Sequence, residues 1–446
     1  MRRAFLAGLA VTGVGPGMSL AFATEKFDAA AETERYLATV KGEARAKSDA
    51  YFEGGYTLDA IDAGIGVVMA ALIMFLGLAR GMKAIAERFT SLPFVHTFTF
   101  SGMYSVLTAV LTFPFVYYRS FMREHEFGMS TMTREAWLSE YAIGLGVGVL
   151  MGGIFIAILY KVIRWAGSAA WIWGAGASTV LAAFAATLAP VFIEPLFNTY
   201  KPMEEGVLKT EILSMARANG IPVDNVYVVD ASRQTKRISA NVAGLFGTTR
   251  IALNDNLLNR CTPAEIKAVM GHEMGHYALN HIYKSLLAIT VIFTLMFAIG
   301  QWMFNALVSV FGRFWGVDGL GDIAGMPLLF GILGFLAYLA TPAFNTLTRT
   351  QEIEADIFGL NAAREPDGFA QVALKLAEYR KLEPGYWEEI VFYTHPSGRN
   401  RVAMAMRWKA ENLPKPQAEA APTPTTESLP NHGPETSPKP DAAPAK

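Results

Sequence analysis

The chain has 446 residues, of which 52% are hydrophobic and only 17% charged, and its formal net charge is −1. This composition excludes an ordinary soluble enzyme of this length. The near-neutral charge, without a basic patch, excludes a nucleic-acid-binding protein. The single cysteine, Cys261, excludes an internal disulfide. We therefore expect the lipid bilayer to be a partner of the chain and nucleic acid not to be one.

The first 23 residues have two interpretations. Arg2 and Arg3 precede an apolar run that ends at the small-residue site Ala21-Phe22-Ala23, which is typical of a secretory signal peptide. The same run could equally remain as a first transmembrane helix. If the two arginines stay inside, the positive-inside rule puts the catalytic segment outside, but three later arginines then fall on the wrong side. The sidedness of the protein therefore stays open.

Six later apolar stretches are each about 20 residues long, enough for a helix to cross a hydrocarbon core of about 30 Å. Four lie in residues 24–197, which we interpret as an N-terminal membrane domain, and two lie further along the chain. The predicted fold is mainly α, a polytopic transmembrane bundle of six spans, or seven with the leader. The stretches are Ile61–Ala79, Phe94–Tyr118, Tyr141–Val162, Ser168–Phe192, Leu286–Phe311 and Ile323–Phe344.

One polar segment, at about 198–284, lies between the fourth and fifth of these spans. A second, at about 347–413, follows the last span. The first begins with a helical pattern over Glu205–Asn219 that ends at Gly220, followed by short strands at Asn225–Val229 and Arg250–Leu253. We therefore predict a zincin-like α+β metallopeptidase domain over 198–412 that includes two transmembrane helices. Residues 413–446 are rich in Pro and Ala and lack hydrophobic periodicity, which predicts a disordered tail.

His272, Glu273 and His276 form an H-E-x-x-H motif in the first polar segment. On a helix the two imidazoles lie on one face and can bind one Zn²⁺, while Glu273 faces a metal-bound water. Thr262, Pro263 and Glu265 predict the start of that helix, because together they form an N-cap, a first-turn proline and a capping box. The pattern predicts a catalytic zinc site with one ion per chain.

A catalytic zinc usually has three protein ligands and one open position, so one ligand remains to be found. Glu352 is the best candidate, with Asp356 one helical turn further on, where it can orient a ligand histidine. Glu354 competes with it but points about 200° around the helix. These carboxylates could also be merely solvated at a helix start. On a continuous helix His281 faces about 140° to 180° away from the zinc face, which argues against it as a ligand.

Further stretches carry a family pattern together with the zinc motif. They resemble peptidase family M48, the membrane zinc metallopeptidases, and specifically its CAAX prenyl protease (Ste24-like) branch. The resemblance runs in order from about residue 30 to 410. The stretches are Phe192-Ile-Glu-Pro-Leu-Phe-Asn198, Gly206-Val-Leu-Lys209, Val226-Tyr-Val-Val-Asp-Ala-Ser232, Arg250-Ile-Ala-Leu-Asn-Asp-Asn-Leu-Leu258, Ala268-Val-Met-Gly-His-Glu-Met-Gly-His276, Glu352-Ile-Glu-Ala-Asp356 and Thr394-His395-Pro396.

The resemblance implies a role for each matching residue. The implied zinc ligands are His272, His276 and Glu352, so the resemblance selects Glu352 over Glu354. Glu273 is implied as the general base and Asp356 as the carboxylate behind the ligands. His395 and Arg401 are implied to hold the substrate backbone or to stabilise the tetrahedral oxyanion.

The resemblance also implies an edge strand that pairs with an extended peptide or protein substrate. The candidate substrate-binding residues are Asn241, Val242, Ala243 and Gly244. The chain departs from the family pattern here, because Ser239-Ala240-Asn241 stands where the family usually has an Asn-Ala pair. Members of the family enclose a large chamber between their membrane helices, and we expect one here.

The implied function is an integral membrane zinc endopeptidase of the CAAX prenyl protease type, in which a zinc-activated water attacks the peptide bond and Glu273 is the general base. We expect a bacterial inner membrane as its location. One alternative is a quality-control metalloprotease of the heat-shock branch of the same family. A transporter or channel with a structural metal is a further alternative, but structural zinc normally has four protein ligands. The sequence does not determine the oligomeric state.

Overall fold

The computed structural model describes residues 27–243 and 249–412, and residues 28–411 form one compact unit. The predicted leader at 1–23, the predicted tail at 413–446 and the candidate substrate-binding residue Gly244 lie outside the described residues. Within them the protein is a helical bundle with one small sheet, as the sequence predicts.

The helices and strands follow one another along the chain in this order. The membrane part begins with α1 (Ala29–Leu37), α2 (Gly42–Phe75), α3 (Leu78–Phe89), α4 (Pro93–Tyr117), α5 (Arg123–Glu126), α6 (Arg134–Val147), α7 (Gly153–Ala166) and α8 (Ala170–Leu188). The rest comprises β1 (Tyr200–Pro202), α9 (Val207–Ala218), β2 (Val226–Val229), β3 (Ala240–Ala243), β4 (Arg250–Asn254), α10 (Asp255–Arg260), α11 (Pro263–Ala278), α12 (His281–Trp315), α13 (Met326–Ala363), α14 (Pro366–Leu376), α15 (Tyr386–Phe392) and α16 (Gly398–Asn412).

Five helical runs in the described residues are long and apolar enough to cross a membrane. The third, Arg134–Leu196, has 63 residues and contains two of the six predicted spans. It reverses near Gly167, whose φ of +57° suits glycine, and α8 then packs against α7. All six predicted spans are therefore helical, although they lie in five runs. The runs are Gly42–Phe75, Pro93–Glu126, Arg134–Leu196, His281–Trp315 and Ile323–Ala363.

The sheet has the strand order β1-β2-β4-β3. The predicted strands at Asn225–Val229 and Arg250–Leu253 correspond to β2 and β4, which pair in parallel. Ile251 and Leu253 of β4 are buried against Ile266 and Met270 of α11. Within residues 27–243 and 249–412, β3 pairs with β4 alone and is an edge of the sheet. The sheet therefore lies against the zinc-motif helix and presents β3 beside it.

The predicted capping box starts α11. The Thr262 hydroxyl accepts a hydrogen bond from the backbone N–H of Glu265, and the Glu265 carboxylate accepts one from the N–H of Thr262 at 2.6 Å. The same carboxylate is buried and lies 2.7 Å from the ammonium of Lys375 on α14. These contacts provide acceptors for backbone N–H groups at the start of α11. They fix the residue at which the helix begins, and with it the position of the zinc motif on the helix.

Helices α11 and α13 meet backbone to backbone. A Cβ atom on Gly359 would lie 2.7 Å from the backbone nitrogen of His272, and one on Gly271 would lie 2.9 Å from the carbonyl oxygen of Gly359. Gly275 faces Ala355 with similarly little space. The absence of side chains at these glycines is what lets the two helices approach so closely.

We expect the substitution Gly359→Ala to destabilise the protein, because the added methyl group must push α13 away from the backbone of His272. Overpacking of this kind costs about 1–3 kcal/mol. The measurement is the thermal unfolding midpoint in detergent. Gly334→Ala is the matched control on the same helix, since nothing lies within 4 Å of its Cβ position. Equal midpoints for the two variants would contradict the argument.

Candidate metal centre and active site

His272 and His276 on α11 and Glu352 on α13 converge on one point. Their nearest ligand atoms all lie within 4.8 Å of one another. The two Nε2 atoms are 3.1 Å apart, and Glu352 lies 3.1 Å from His272 Nε2 and 3.5 Å from His276 Nε2. Glu352 and His272 are buried, and His276 is partly buried. The structure thus brings together the three side chains that the sequence proposed as ligands.

The arrangement fits a zinc ion. Zinc bonds of 2.0–2.1 Å in a tetrahedron separate neighbouring ligand atoms by about 3.4 Å. The two Nε2 atoms are 3.1 Å apart, and the nearest Glu352 oxygens, Oε2 for His272 and Oε1 for His276, lie at 3.1 and 3.5 Å. The Oε2 atom of Glu352 is buried and accepts no hydrogen bond from the described residues. Two imidazoles with one carboxylate are a ligand set typical of zinc, whereas calcium and magnesium prefer oxygen atoms throughout.

Asp356 fixes the orientation of His272. Its Oδ1 lies 2.7 Å from His272 Nδ1, so Nδ1 carries the proton and Nε2 is left with its lone pair facing Glu352. Arg401 on α16 binds the same carboxylate at both oxygens, at 2.9 and 2.6 Å. Asp356 is fully buried and Arg401 is nearly so. The guanidinium of Arg401 therefore neutralises Asp356, and both of its described hydrogen bonds go to that carboxylate.

Glu273 lies beside the ligands without joining them. Its side chain lines a 180 Å³ cavity together with those of His272, His395 and Arg401. Burial raises the pKa of Glu273 to about 7. A carboxyl group with a pKa near neutrality can both accept and return a proton during a reaction at physiological pH.

His395 approaches the centre from the connection between α15 and α16. Its Nε2 lies 3.2 Å from Glu352 Oε2, and its Nδ1 lies 2.9 Å from the Thr394 hydroxyl. Burial, together with the nearby guanidinium of Arg380, lowers the pKa of His395 to about 3. The imidazole is therefore neutral at physiological pH and has one N–H group to donate.

His281 contacts the ligand His276 on the ring nitrogen that faces away from the other ligands, a contact that the sequence does not predict. Its Nδ1 lies 2.9 Å from His276 Nδ1, and its Nε2 lies 3.1 Å from the carboxylate of Glu354. The expectation that His281 faces away assumed a continuous helix, but α11 ends at Ala278 and Asn280 is left-handed with φ of +58°. An Asn shortly after an apolar helix is the signal that could have predicted this break.

The proposed substrate strand is an edge strand next to the motif. Asn241, Val242 and Ala243 belong to β3, which packs against α11 and leaves one side unpaired. The amide oxygen of Asn241 is buried and has no hydrogen-bond partner among the described residues. The strand therefore has backbone groups available on its free side close to the centre.

Larger cavities lie between the membrane helices. One has a volume of 830 Å³, and a second of 780 Å³ shares Asp59, Asp62 and Thr341 with it. Thr394, which precedes His395, lines the first. Other residues on its wall are Tyr51, Tyr56, Arg119, Trp137, Gln234 and Asn345. These cavities extend from the bundle to the loop that carries His395.

Family models match most of the chain. Residues 202–409 match the model of peptidase family M48, and residues 31–199 match the model described as CAAX prenyl protease N-terminal, five membrane helices. The chain belongs to peptidase family M48. The N-terminal match places it in the CAAX prenyl protease branch, and membership of the family makes it a membrane metalloendopeptidase.

Individual relatives agree with the family models. The chain is 27% identical over 359 residues to the uncharacterized metalloprotease YhfN of Bacillus subtilis, covering 79% of this chain and 84% of that protein. It is 32% identical over 276 residues to the CAAX prenyl protease 1 homolog of Dictyostelium discoideum, and the match covers 59% of this chain and 61% of that protein. The crystal structure of S. mikatae Ste24p shares its fold, with a TM-score of 0.67 at 23% identity over 85% of this chain and 95% of that one.

We expect Glu352→Ala to abolish stoichiometric zinc binding, because it removes one of only three converging ligand side chains. Glu204→Ala, at an exposed position away from the centre, is the control, and Glu354→Ala tests the competing carboxylate. That carboxylate is on the same helix, is 42% exposed and pairs with Lys284 at 2.7 Å. The measurement is zinc content per chain by atomic absorption after purification. If Glu352→Ala retains one zinc and Glu354→Ala loses it, the ligand assignment is wrong.

We expect Asp356→Asn to weaken zinc binding by about 10–100-fold, since loss of the carboxylate leaves the His272 tautomer less well defined and Arg401 less well neutralised. A competitive chelator titration measures the affinity. Asp318→Asn, at an exposed position outside the centre, should leave it unchanged. An unchanged zinc affinity in Asp356→Asn would show that Asp356 does not support zinc binding through His272.

Proposed function

We propose that this protein is a zinc-dependent endopeptidase of the CAAX prenyl protease type that hydrolyses peptide bonds with Glu273 as general base. The observation that carries the proposal is the convergence of two imidazoles and Glu352 with Glu273 beside them and a cavity in front. The match to the CAAX prenyl protease N-terminal model favours this substrate type over the quality-control alternative. The transporter alternative has no observation in its favour.

Zinc, when bound by His272, His276 and Glu352, supplies a lowered pKa for a coordinated water and polarisation of the scissile carbonyl. Glu273 accepts a proton from the attacking water, and its raised pKa lets it deliver that proton to the leaving amine. The neutral imidazole of His395 lies close enough to donate a hydrogen bond to the oxygen that becomes negative in the transition state. Arg401 acts at a distance, through Asp356 and His272.

The substrate lies extended along the free side of β3. Pairing through backbone amides holds a peptide without demanding one sequence, so specificity must come from the cavities around the strand. The apolar composition and the five membrane-capable runs support a site close to a bilayer, which suits membrane-attached substrates. We propose a bacterial inner membrane as the location, because the described residues contain five runs able to cross a membrane and the chain is similar to a bacterial metalloprotease.

We expect Glu273→Gln to keep one zinc per chain but to lower the rate of peptide cleavage by about 10²–10⁴-fold, because it retains the ligands and removes only the proton acceptor. Cleavage of casein and of a farnesylated peptide in detergent, together with zinc content, measures both effects. Glu204→Gln, at an exposed position away from the centre, is the control. Cleavage at the wild-type rate by zinc-loaded Glu273→Gln would rule out Glu273 as general base.

A further inference from the structure

Arg380 faces the active-site cavity without a carboxylate partner. It lies in the connection between α14 and α15, and its side chain lines the 180 Å³ cavity with Glu273 and His395. Its one described side-chain hydrogen bond is a long contact of 3.5 Å from Nη2 to His395 Nε2. No carboxylate oxygen of the described residues lies within 4.0 Å of its guanidinium, whereas Arg401 in the same cavity binds Asp356 at 2.6 Å.

The charges around the cavity do not neutralise Arg380. Arg401 and Asp356 neutralise each other, Glu352 is directed to the metal centre, and Glu273 lines the same cavity without forming an ion pair with Arg380. Keeping a guanidinium partly buried without a carboxylate is unfavourable, because its hydration is reduced and is replaced in the described residues only by the long His395 contact and by the Tyr379 ring at 5.8 Å. An anionic group of a ligand in the cavity would supply the missing partner, and a guanidinium binds a carboxylate with two parallel hydrogen bonds.

The direction of β3 indicates which part of a substrate enters this cavity. Ile238, Ser239 and Ala240 form part of its wall, at the start of β3. A peptide that pairs antiparallel to β3, the more common arrangement, runs toward the start of that strand with its carboxyl-terminal part. The residues that follow the scissile bond therefore reach the cavity that Arg380 lines.

The rest of the wall limits what these residues can be. The lining also includes the apolar side chains of Leu257, Val269, Val372 and Leu376. The volume of 180 Å³ is small beside the 830 and 780 Å³ of the cavities between the membrane helices, and the mixed lining suits an aliphatic side chain with an adjacent carboxylate.

We propose that Arg380 is a specificity-determining residue that binds a substrate carboxylate on the carboxyl side of the scissile bond. The inference rests on the proposed peptidase function. The carboxylate can come from the chain terminus or from an acidic side chain, and peptide pairs distinguish the two sources.

The test compares matched quenched-fluorescent peptides with wild-type protein, Arg380→Gln and Arg380→Lys. One pair is farnesylated and ends in Cys, two aliphatic residues and Ala, made as C-terminal acid and as C-terminal amide. The other pair is amidated and carries Glu or Gln at the final position. Arg407→Gln, at an exposed position on α16, is the control. Zinc content and the unfolding midpoint are measured for each variant.

For the wild type we expect kcat/KM to be at least tenfold higher for the acid than for the amide. Arg380→Gln should reduce that ratio to near one by slowing the acid alone, Arg380→Lys should restore part of it, and Arg407→Gln should leave it unchanged. An Arg380-dependent preference for Glu over Gln, with none for the terminal acid, would support the carboxylate site with a side chain as its source. Equal ratios in wild type and Arg380→Gln for both pairs would overturn the proposal.

A measurement on the wild type alone covers the case in which Arg380→Gln does not fold. An aliphatic tripeptide that resembles the product should inhibit casein cleavage at least tenfold more strongly as acid than as amide. Equal inhibition by the two tripeptides, together with equal inhibition by tripeptide amides that end in Glu and in Gln, would overturn the carboxylate site. Failure of the proposed peptidase function gives a different result, since zinc-loaded wild type would then cleave neither casein nor any of the peptides.

Discussion

The backbone contact between α11 and α13 is the constraint on which the centre depends. His272 and His276 lie on one helix and Glu352 on the other, so the separation of the helix axes decides whether their ligand atoms can share an ion. Gly271, Gly275 and Gly359 carry no side chains at that contact, which makes the short separation possible. The hydrogen bond from His272 to Asp356 crosses the same contact and sets the rotation of the imidazole. The packing of α11 against α13 thus determines whether the ligand side chains can bind one ion.

The charged side chains around that contact form two separate hydrogen-bond networks, one for each ligand histidine. Asp356 lies between His272 and Arg401 and is neutralised by the latter, so the ligand histidine has a buried acceptor without an excess negative charge. His276 has a separate partner in His281, which in turn contacts Glu354 at the surface. Arg380 is the cation of the cavity that this arrangement leaves unmatched. The two ligand histidines are therefore oriented by different networks, one buried and one reaching solvent.

Much of this could be predicted from the sequence, because hydrophobic runs and cap residues are local signals. The six apolar stretches, the capping box at Thr262 and the strands β2 and β4 all appear where the sequence places them. The position of His281 could not be derived from helical spacing, since a single left-handed residue, Asn280, redirects the chain. Arg380 carries no motif, and only the tertiary structure shows that it faces the cavity. The proximity of Glu352 to the histidines likewise depends on glycines 80 or more residues apart.

Helix α13 runs without interruption from the membrane part to Ala363, although its apolar stretch ends at Phe344. At a rise of 1.5 Å per residue, the eight residues from Phe344 to Glu352 correspond to about 12 Å. Because the helix is continuous, a shift of its apolar part would move Glu352 relative to His272 and His276. The conformation of the bundle and the geometry of the metal centre are therefore coupled through this one helix.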